Sequence, residues 1–247
     1  MTVSRMSRQR TAFKALGAFQ QTVVRGRLLA LACALTISSN LIAHPSIDAL
    51  IKEADAQRTS HPQGVDAVLL QLESMLPAAT PAQIERIRML HVHRSITAGK
   101  SAAAIAELRQ ILGGNPDTPT RFLAASMLAN AYAIERQFED ALRALDSMLP
   151  LLESIEDKEL RHRGLSVAAI VYNQVGEYSL ALRHVDAITS DEPTRRNECA
   201  IASVSFEATN GLGHSFDDDS ALDALSRCDG EPIFAAFLRW HFARQME

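Results

Sequence analysis

The sequence predicts an all-α protein, a helical solenoid built from repeated helix pairs, and three observations carry that expectation. The first is a signature that steps along the chain every 37 to 40 residues, aligned on the small residues Ala104, Ala141, Ala181 and Ala221. Phe138 and Tyr178 stand three residues before Ala141 and Ala181, and Tyr132 and Tyr172 stand nine before them. Gly99 and Gly176 precede Ala104 and Ala181 by five residues, and Pro116 and Pro193 follow them by twelve. Such a period, with a small residue where two helices touch and a proline closing the unit, marks stacked helical repeats. The second observation is that apolar residues recur at i, i+3, i+4 and i+7 along nearly the whole chain. The third is composition: 47% of the 247 residues are hydrophobic but only 5% are aromatic. An apolar content made mostly of Ala and Leu favours helix and close helix packing.

The first 43 residues stand apart. They hold Arg5, Arg8, Arg10, Lys14, Arg25 and Arg27 and no acid. Leu28 to Ala43 then reads LLALACALTISSNLIA before His44-Pro45. A basic start, a short apolar run and a small residue at its end are the three parts of a secretory signal. The run, about 16 residues long and interrupted by Ser38, Ser39 and Asn40, falls short of the roughly 20 that a spanning helix needs. Residues 1–43 are therefore expected to be an export signal, or an N-terminal anchor if uncleaved, with 44–247 as the repeat domain in the periplasm of a bacterium. Cys33 would leave with the signal. Cys199 and Cys228 remain, and are either bridged, as leftover pairs in exported proteins usually are, or two small buried apolar residues. A bridge closing about 30 residues is worth roughly 3 kcal/mol.

Taken in order, Ser46 to Arg58 reads as a first helix with Ser46 as its N-cap and Asp48 in the first turn. Gly64 to Leu76 is its partner, closed by Pro77. Thr80-Pro81 opens the next helix, which runs to about Ala98, because proline suits a first turn. After the Gly99 turn, Ser101 to Leu112 returns, and Gly113-Gly114-Asn115-Pro116 ends it with a glycine free to take the left-handed cap. The next unit, Phe122 to about Ile155, pairs a helix ending near Glu135 with one from Glu139 to Leu149. The unit from His162 to about Arg195 repeats this around Gly176, and the acidic stretch Glu153 to Glu159 reads as a solvated link. A further unit begins near Arg196, with a longer link from Asn210 to Asp219. Pro232 to Gln245, carrying Phe234, Phe237, Leu238, Trp240 and Phe242, reads as a helix that caps the apolar end of the stack or presents a surface beyond it.

Charge and motifs exclude several classes of function. The formal net charge is −4, but without the six N-terminal bases the remainder has 19 basic against 29 acidic residues, or −10. So acidic a body is unsuited to the phosphate backbone of a nucleic acid. His91 and His93 are two apart and diverge by about 200° on a helix, whereas zinc sites on helices use spacings of three or four. Gly211-Leu212-Gly213 lacks the third glycine and the preceding strand of a dinucleotide loop. Asp217-Asp218-Asp219 lacks the alternation of a calcium loop and reads as a helix N-cap with favourable dipole charge. No G-x-S-x-G, P-loop or C-x-x-C motif occurs, so neither an enzyme nor a bound cofactor is expected.

The pattern resembles the tetratricopeptide repeat, whose paired antiparallel helices carry small residues at the eighth and twentieth positions and aromatics at the eleventh and seventeenth. In LAASMLANAYAIERQFEDALRAL those places hold Ala129, Tyr132, Phe138 and Ala141. In GLSVAAIVYNQVGEYSLALRHV they hold Ala169, Tyr172, Tyr178 and Ala181. The Arg86-to-Pro116 unit has Ser95 and Ser101 in place of the aromatics, and the two outer pairs match only in helix length. The resemblance implies a right-handed solenoid whose first helices line a concave, partner-binding groove. By position that groove holds Arg86, Met89, His93, Ser126, Asn130, Arg163, Ser166, Asn173 and Gln174. That polar, adaptable set implies a protein or peptide partner. The export signal, the degenerate array and the aromatic last helix are also similar to the periplasmic sensory region of GGDEF-type diguanylate cyclases. That resemblance implies a sensory input module without its output domain, since the residues carry no GGDEF signature.

Overall fold

The computed structural model describes residues 45–214, 218–228 and 230–245, all but Pro45 belonging to a compact unit that begins at Ser46. Residues 1–43, expected to be an export signal, Cys33 among them, and Asp217 lie outside the described residues, as does the side chain of Ala221. The described residues form eleven α-helices and no strand. They are α1 (Ile47–Gln57), α2 (Pro62–Met75), α3 (Pro81–Thr97), α4 (Ser101–Gly113), α5 (Thr118–Ile134) and α6 (Phe138–Met148). After them come α7 (Lys158–Gln174), α8 (Tyr178–Thr189), α9 (Arg195–Gly211), α10 (Asp218–Arg227) and α11 (Pro232–Gln245). Short 3₁₀ turns, Leu76–Ala78 and Leu149–Ser154, follow α2 and α6.

Caps place the helix starts. Ser46 Oγ accepts from the Ala49 amide, and Thr80 and Gln83 close a capping box around Pro81. Asp117 and Asp157 accept from the amides of Thr120 and Leu160. They start α5 and α7 four residues before the positions expected from periodicity alone. Glu159 belongs to α7 rather than to a solvated link, and it accepts from Thr194 and Asn197 of the α9 N-terminus.

The turns inside the pairs repeat one geometry. Gly99 and Gly176 take φ of 73° and 82°, and the next amide reaches back to Ser95 O and Tyr172 O. This is the left-handed closure that glycine favours. Arg136 takes the same place between α5 and α6 with φ 57°, and Gln137 N–H reaches Tyr132 O. After α4, Asn115 and not a glycine holds the left-handed conformation, at φ 55°.

Each helix pair packs internally, α1 on α2, α3 on α4, α5 on α6, α7 on α8 and α9 on α10. The odd-numbered helices also pack on one another in order from α1 to α9, and α11 packs on α9 and α10. The small residues sit where helices meet: Ala129, Ala141, Ala169 and Ala181 are wholly buried. Tyr132 is buried between α5 and its neighbours, while Tyr172 is half-buried and stacks on His184. A disulfide joins Cys199 of α9 to Cys228 after α10, and Phe242 of α11 meets Phe206 edge-on at 4.3 Å. Phe237 and Trp240 on the outer side of α11 are exposed. No helix among the described residues is long and apolar enough to cross a membrane.

Candidate functional site

The inner face of the odd-numbered helices encloses a cavity of about 350 Å³. Its walls follow a fixed register. Counted from the first residue of each helix, the sixth positions of α3, α5 and α7 supply Arg86, Leu123 and Arg163. The ninth supply Met89, Ser126 and Ser166, and the tenth supply Leu90, Met127 and Val167. The thirteenth supply His93, Asn130 and Ile170. Positions spaced by three, four and seven share one face of a helix. The 37- and 40-residue steps between the starts of α3, α5 and α7 therefore bring equivalent side chains to one chamber. Ile96 from α3, Asp55, Arg58 and Thr59 from the end of α1, Arg196, Asn197 and Ala200 from α9 and Phe234 from α11 complete it.

Six of the groove residues read from the sequence, Arg86, His93, Ser126, Asn130, Arg163 and Ser166, line this cavity, as does Met89. Asn173 and Gln174 do not. Asn173 is buried between α7 and α9, donating to Val204 O at 2.9 Å and to Glu207 at 3.3 Å, and Gln174 lies exposed at the last turn of α7. His91 and His93 diverge, His91 to Glu73 at 3.3 Å and His93 to the cavity. Gly211 serves packing, because a Cβ there would stand 2.3 Å from the Tyr178 ring.

The cavity floor is a layer of four arginines around one carboxylate. Arg86 Nη2 lies 2.5 Å from Asp55 Oδ2, Arg163 Nη2 3.4 Å from Oδ1, and Arg58 Nη1 3.7 Å from Oδ1. Arg196 donates to the Asp55 backbone carbonyl at 3.1 Å. These bonds join residues 108 and 141 positions apart, so side chains of α7 and α9 reach α1 across the chamber. Burial pushes the Asp55 carboxyl up, but the charges of Arg163, Arg86 and Arg58 outweigh it and hold it below the usual range. Burial, helped by the charge of Arg196 and Arg86 against that of Asp55, lowers Arg163 to about 10. Burial and the charges of Arg163 and Arg196 also lower Arg58 well below its ordinary value. Burial, with Arg58, Arg163 and Arg196 adding to it, lowers His93 to about 3, so its ring is neutral at neutral pH.

Beyond the layer, a second depression shares Asp55, Arg86, Arg163 and Arg196 and is edged by Asp48, Asp157, Glu159 and Glu231. Buried His162 steadies this side, with Nε2 3.0 Å from Asp191 and Nδ1 3.2 Å from the Asn197 amide. Among the described residues, no three His, Cys, Asp or Glu side chains gather as metal ligands.

Asp55, Arg58 and Arg196 escaped the sequence reading because the outer helix pairs match the repeat only in length. The recurrence of arginine at the sixth position of α3 and α7 is the signal that points toward a charged chamber. Fold and site together define an all-α protein of consecutively packed helix pairs enclosing an arginine-floored cavity. No protein-family model matches the chain, and no curated protein matches it.

Proposed function

We propose that the chain is an exported, non-enzymatic scaffold of the tetratricopeptide kind, a right-handed solenoid capped by α11. On this reading it holds a protein or peptide partner against its concave face in the periplasm. One observation carries the reading: the same four register positions of α3, α5 and α7 converge on a single chamber. Structural repetition alone needs the small and aromatic positions at the seams. It does not need arginine, serine, histidine and asparagine to gather on the opposite face, as they do at the sixth, ninth and thirteenth positions. The chamber's 350 Å³ is at the small end of ligand pockets, which suits a chain end or a few side chains and not a folded surface.

The test is a photo-crosslinking amino acid placed at Asn130 in the cavity, or at exposed Ala106 on α4, in cells that make the full chain. Adducts to a partner from Asn130 and not from Ala106 are expected. Equal adducts from both sites, or none from Asn130, would contradict the reading.

A second reading, the sensory input module of a diguanylate cyclase-type receptor, is favoured by the layer across the chamber. Side chains of α7 and α9 hold α1, so an occupant that competes for those arginines alters the spacing of the two ends of the array. The exposed Phe237 and Trp240 of α11 then serve as the output surface. This reading requires the Trp240 region for function, which groove binding alone does not.

A further inference from the structure

We infer that the arginine floor of the cavity, with the apolar walls above it, takes a free amphipathic acid, a carboxylate carried on a short apolar body. The inference rests on the same chamber as the groove-binding reading and goes beyond it in naming a small ligand.

Unmatched hydrogen-bonding capacity is the first argument. Each guanidinium has five N–H donors, and the acceptors within the layer are one carboxylate and one backbone carbonyl of Asp55. Seven buried side-chain polar atoms among the described residues lack a partner, and four of them, Arg163 Nε, Ser126 Oγ, Ser166 Oγ and Thr59 Oγ1, belong to this cavity's lining. Ser126 is only 1% exposed and Arg58 only 9%. Buried polar groups in folded proteins are almost always paired, so their concentration in one chamber points to an occupant that pairs them.

Charge points the same way. Asp55 is the one carboxylate lining the chamber with the four arginines, while Glu159 and Glu231, on the far side of the layer, offset part of the charge of Arg196 and Glu159 part of that of Arg58. His93 adds no charge at neutral pH. An anion entering from the cavity side relieves the mutual repulsion of the arginines. A planar carboxylate matches the guanidinium fork with two parallel bonds.

The remaining walls set the rest of the ligand. Met89, Leu123, Met127, Val167, Ile170 and Phe234 make most of the chamber apolar. Inorganic phosphate or acetate would fill the floor and leave these walls wet. An acid with a chain of several carbons fills both.

Calorimetry on the full chain, titrated with octanoate, 1-octanol, acetate and inorganic phosphate, tests the inference. Octanoate is expected to bind saturably and at least tenfold more tightly than the other three. From butanoate to octanoate, each added methylene should strengthen binding about fourfold, which is about 0.8 kcal/mol. Arg58→Met should weaken octanoate at least tenfold, and Arg196→Met serves the same purpose if the first variant unfolds. Octanol binding as tightly as octanoate, phosphate binding more tightly, or folded arginine variants that keep full affinity would overturn the inference. Acetyl-Ala-Leu-Phe as free acid and as amide tests the competing source. Octanoate that neither form displaces supports the free acid, and a peptide acid that binds more tightly than octanoate while its amide does not would overturn the inference in favour of a peptide end. If no acid binds while the Asn130 crosslink persists, the carboxylate site fails and the groove reading stands.

Discussion

The seams inside the helix pairs and the junction across the cavity are made of opposite materials. Between α5 and α6 and between α7 and α8, wholly buried alanines let helices touch, with Tyr132 and leucines filling the space around them. Burial there is apolar and insensitive to charge, at roughly 25 cal/mol for each Å² removed from water. The junction of α1 with α7 and α9 is instead arginine on aspartate. Such ionic layers lose much of their attraction to desolvation, and an apolar replacement is often as stable. The difference teaches which region holds the fold and which is committed to something else. A chamber that needed only to be closed would be closed with leucine.

The strongest way to break this contrast is Asp55→Ala. With its one carboxylate gone, the layer keeps four arginines, Arg58 buried and the other three partly buried. Urea denaturation should show a loss of about 3–5 kcal/mol, the usual result of leaving buried charge unpaired. An unchanged midpoint would mean that the arginines are compensated elsewhere.

Acid should find the same junction. His93 is neutral in the fold with its pKa near 3, while the unfolded chain takes up a proton below about 6.5. Its contribution is therefore intact above pH 6.5 and is lost as the pH falls from there toward 3. Between pH 7 and 5 the loss is about 2 kcal/mol by linkage. His93→Gln should flatten that part of the stability curve, and a curve as steep as the parent's would sink the assignment. Some slope remains, because burial also lowers His184. The Asp55 carboxyl, held below its ordinary value, withdraws its share only under about pH 4, so the two losses fall in separate windows.

The seams are sharpened by two smaller changes. Gly164 of α7 faces wholly buried Phe122 of α5, and an added Cβ would stand 2.2 Å from the ring. Gly164→Ala should lose about 1–3 kcal/mol in denaturation by overpacking, although alanine is the better helix former. Arg136→Gly should do the reverse. Its φ of 57° is one that glycine adopts freely, so the α5–α6 turn should gain up to about 1 kcal/mol, read as a raised thermal midpoint.

The sequence disclosed the seams and the turns, for a physical reason. Small residues and left-handed glycines act through neighbours within one repeat, so Ala141, Ala181, Gly99 and Gly176 leave a periodic trace. Ser46 and Thr80 announced their helices by the same local logic. Asp117 and Asp157 did not, because an acid before a helix is indistinguishable in composition from a solvated link until its side chain is seen on an amide. The cavity was visible where its walls recur, on α3, α5 and α7. Asn173 and Gln174 follow Ile170 by three and four residues and so share its face by spacing, but α9 takes up Asn173 through Val204 O and Glu207 and Gln174 lies exposed at the end of α7, which spacing alone does not show. The other half of the floor was hidden, since Asp55 meets Arg163 and Arg196 over separations of 108 and 141 residues that no periodicity encodes.

The central claim, that the arginine layer is kept for an anion and not for the fold, is tested most directly on Arg163→Met. Removing this arginine leaves Asp55 with Arg58, Arg86 and Arg196, so no buried charge is stranded. The account predicts a thermal midpoint at or above that of the parent chain, together with loss of the upward shift that octanoate gives the parent. A lowered midpoint with the octanoate shift intact would make the layer a structural brace and contradict it.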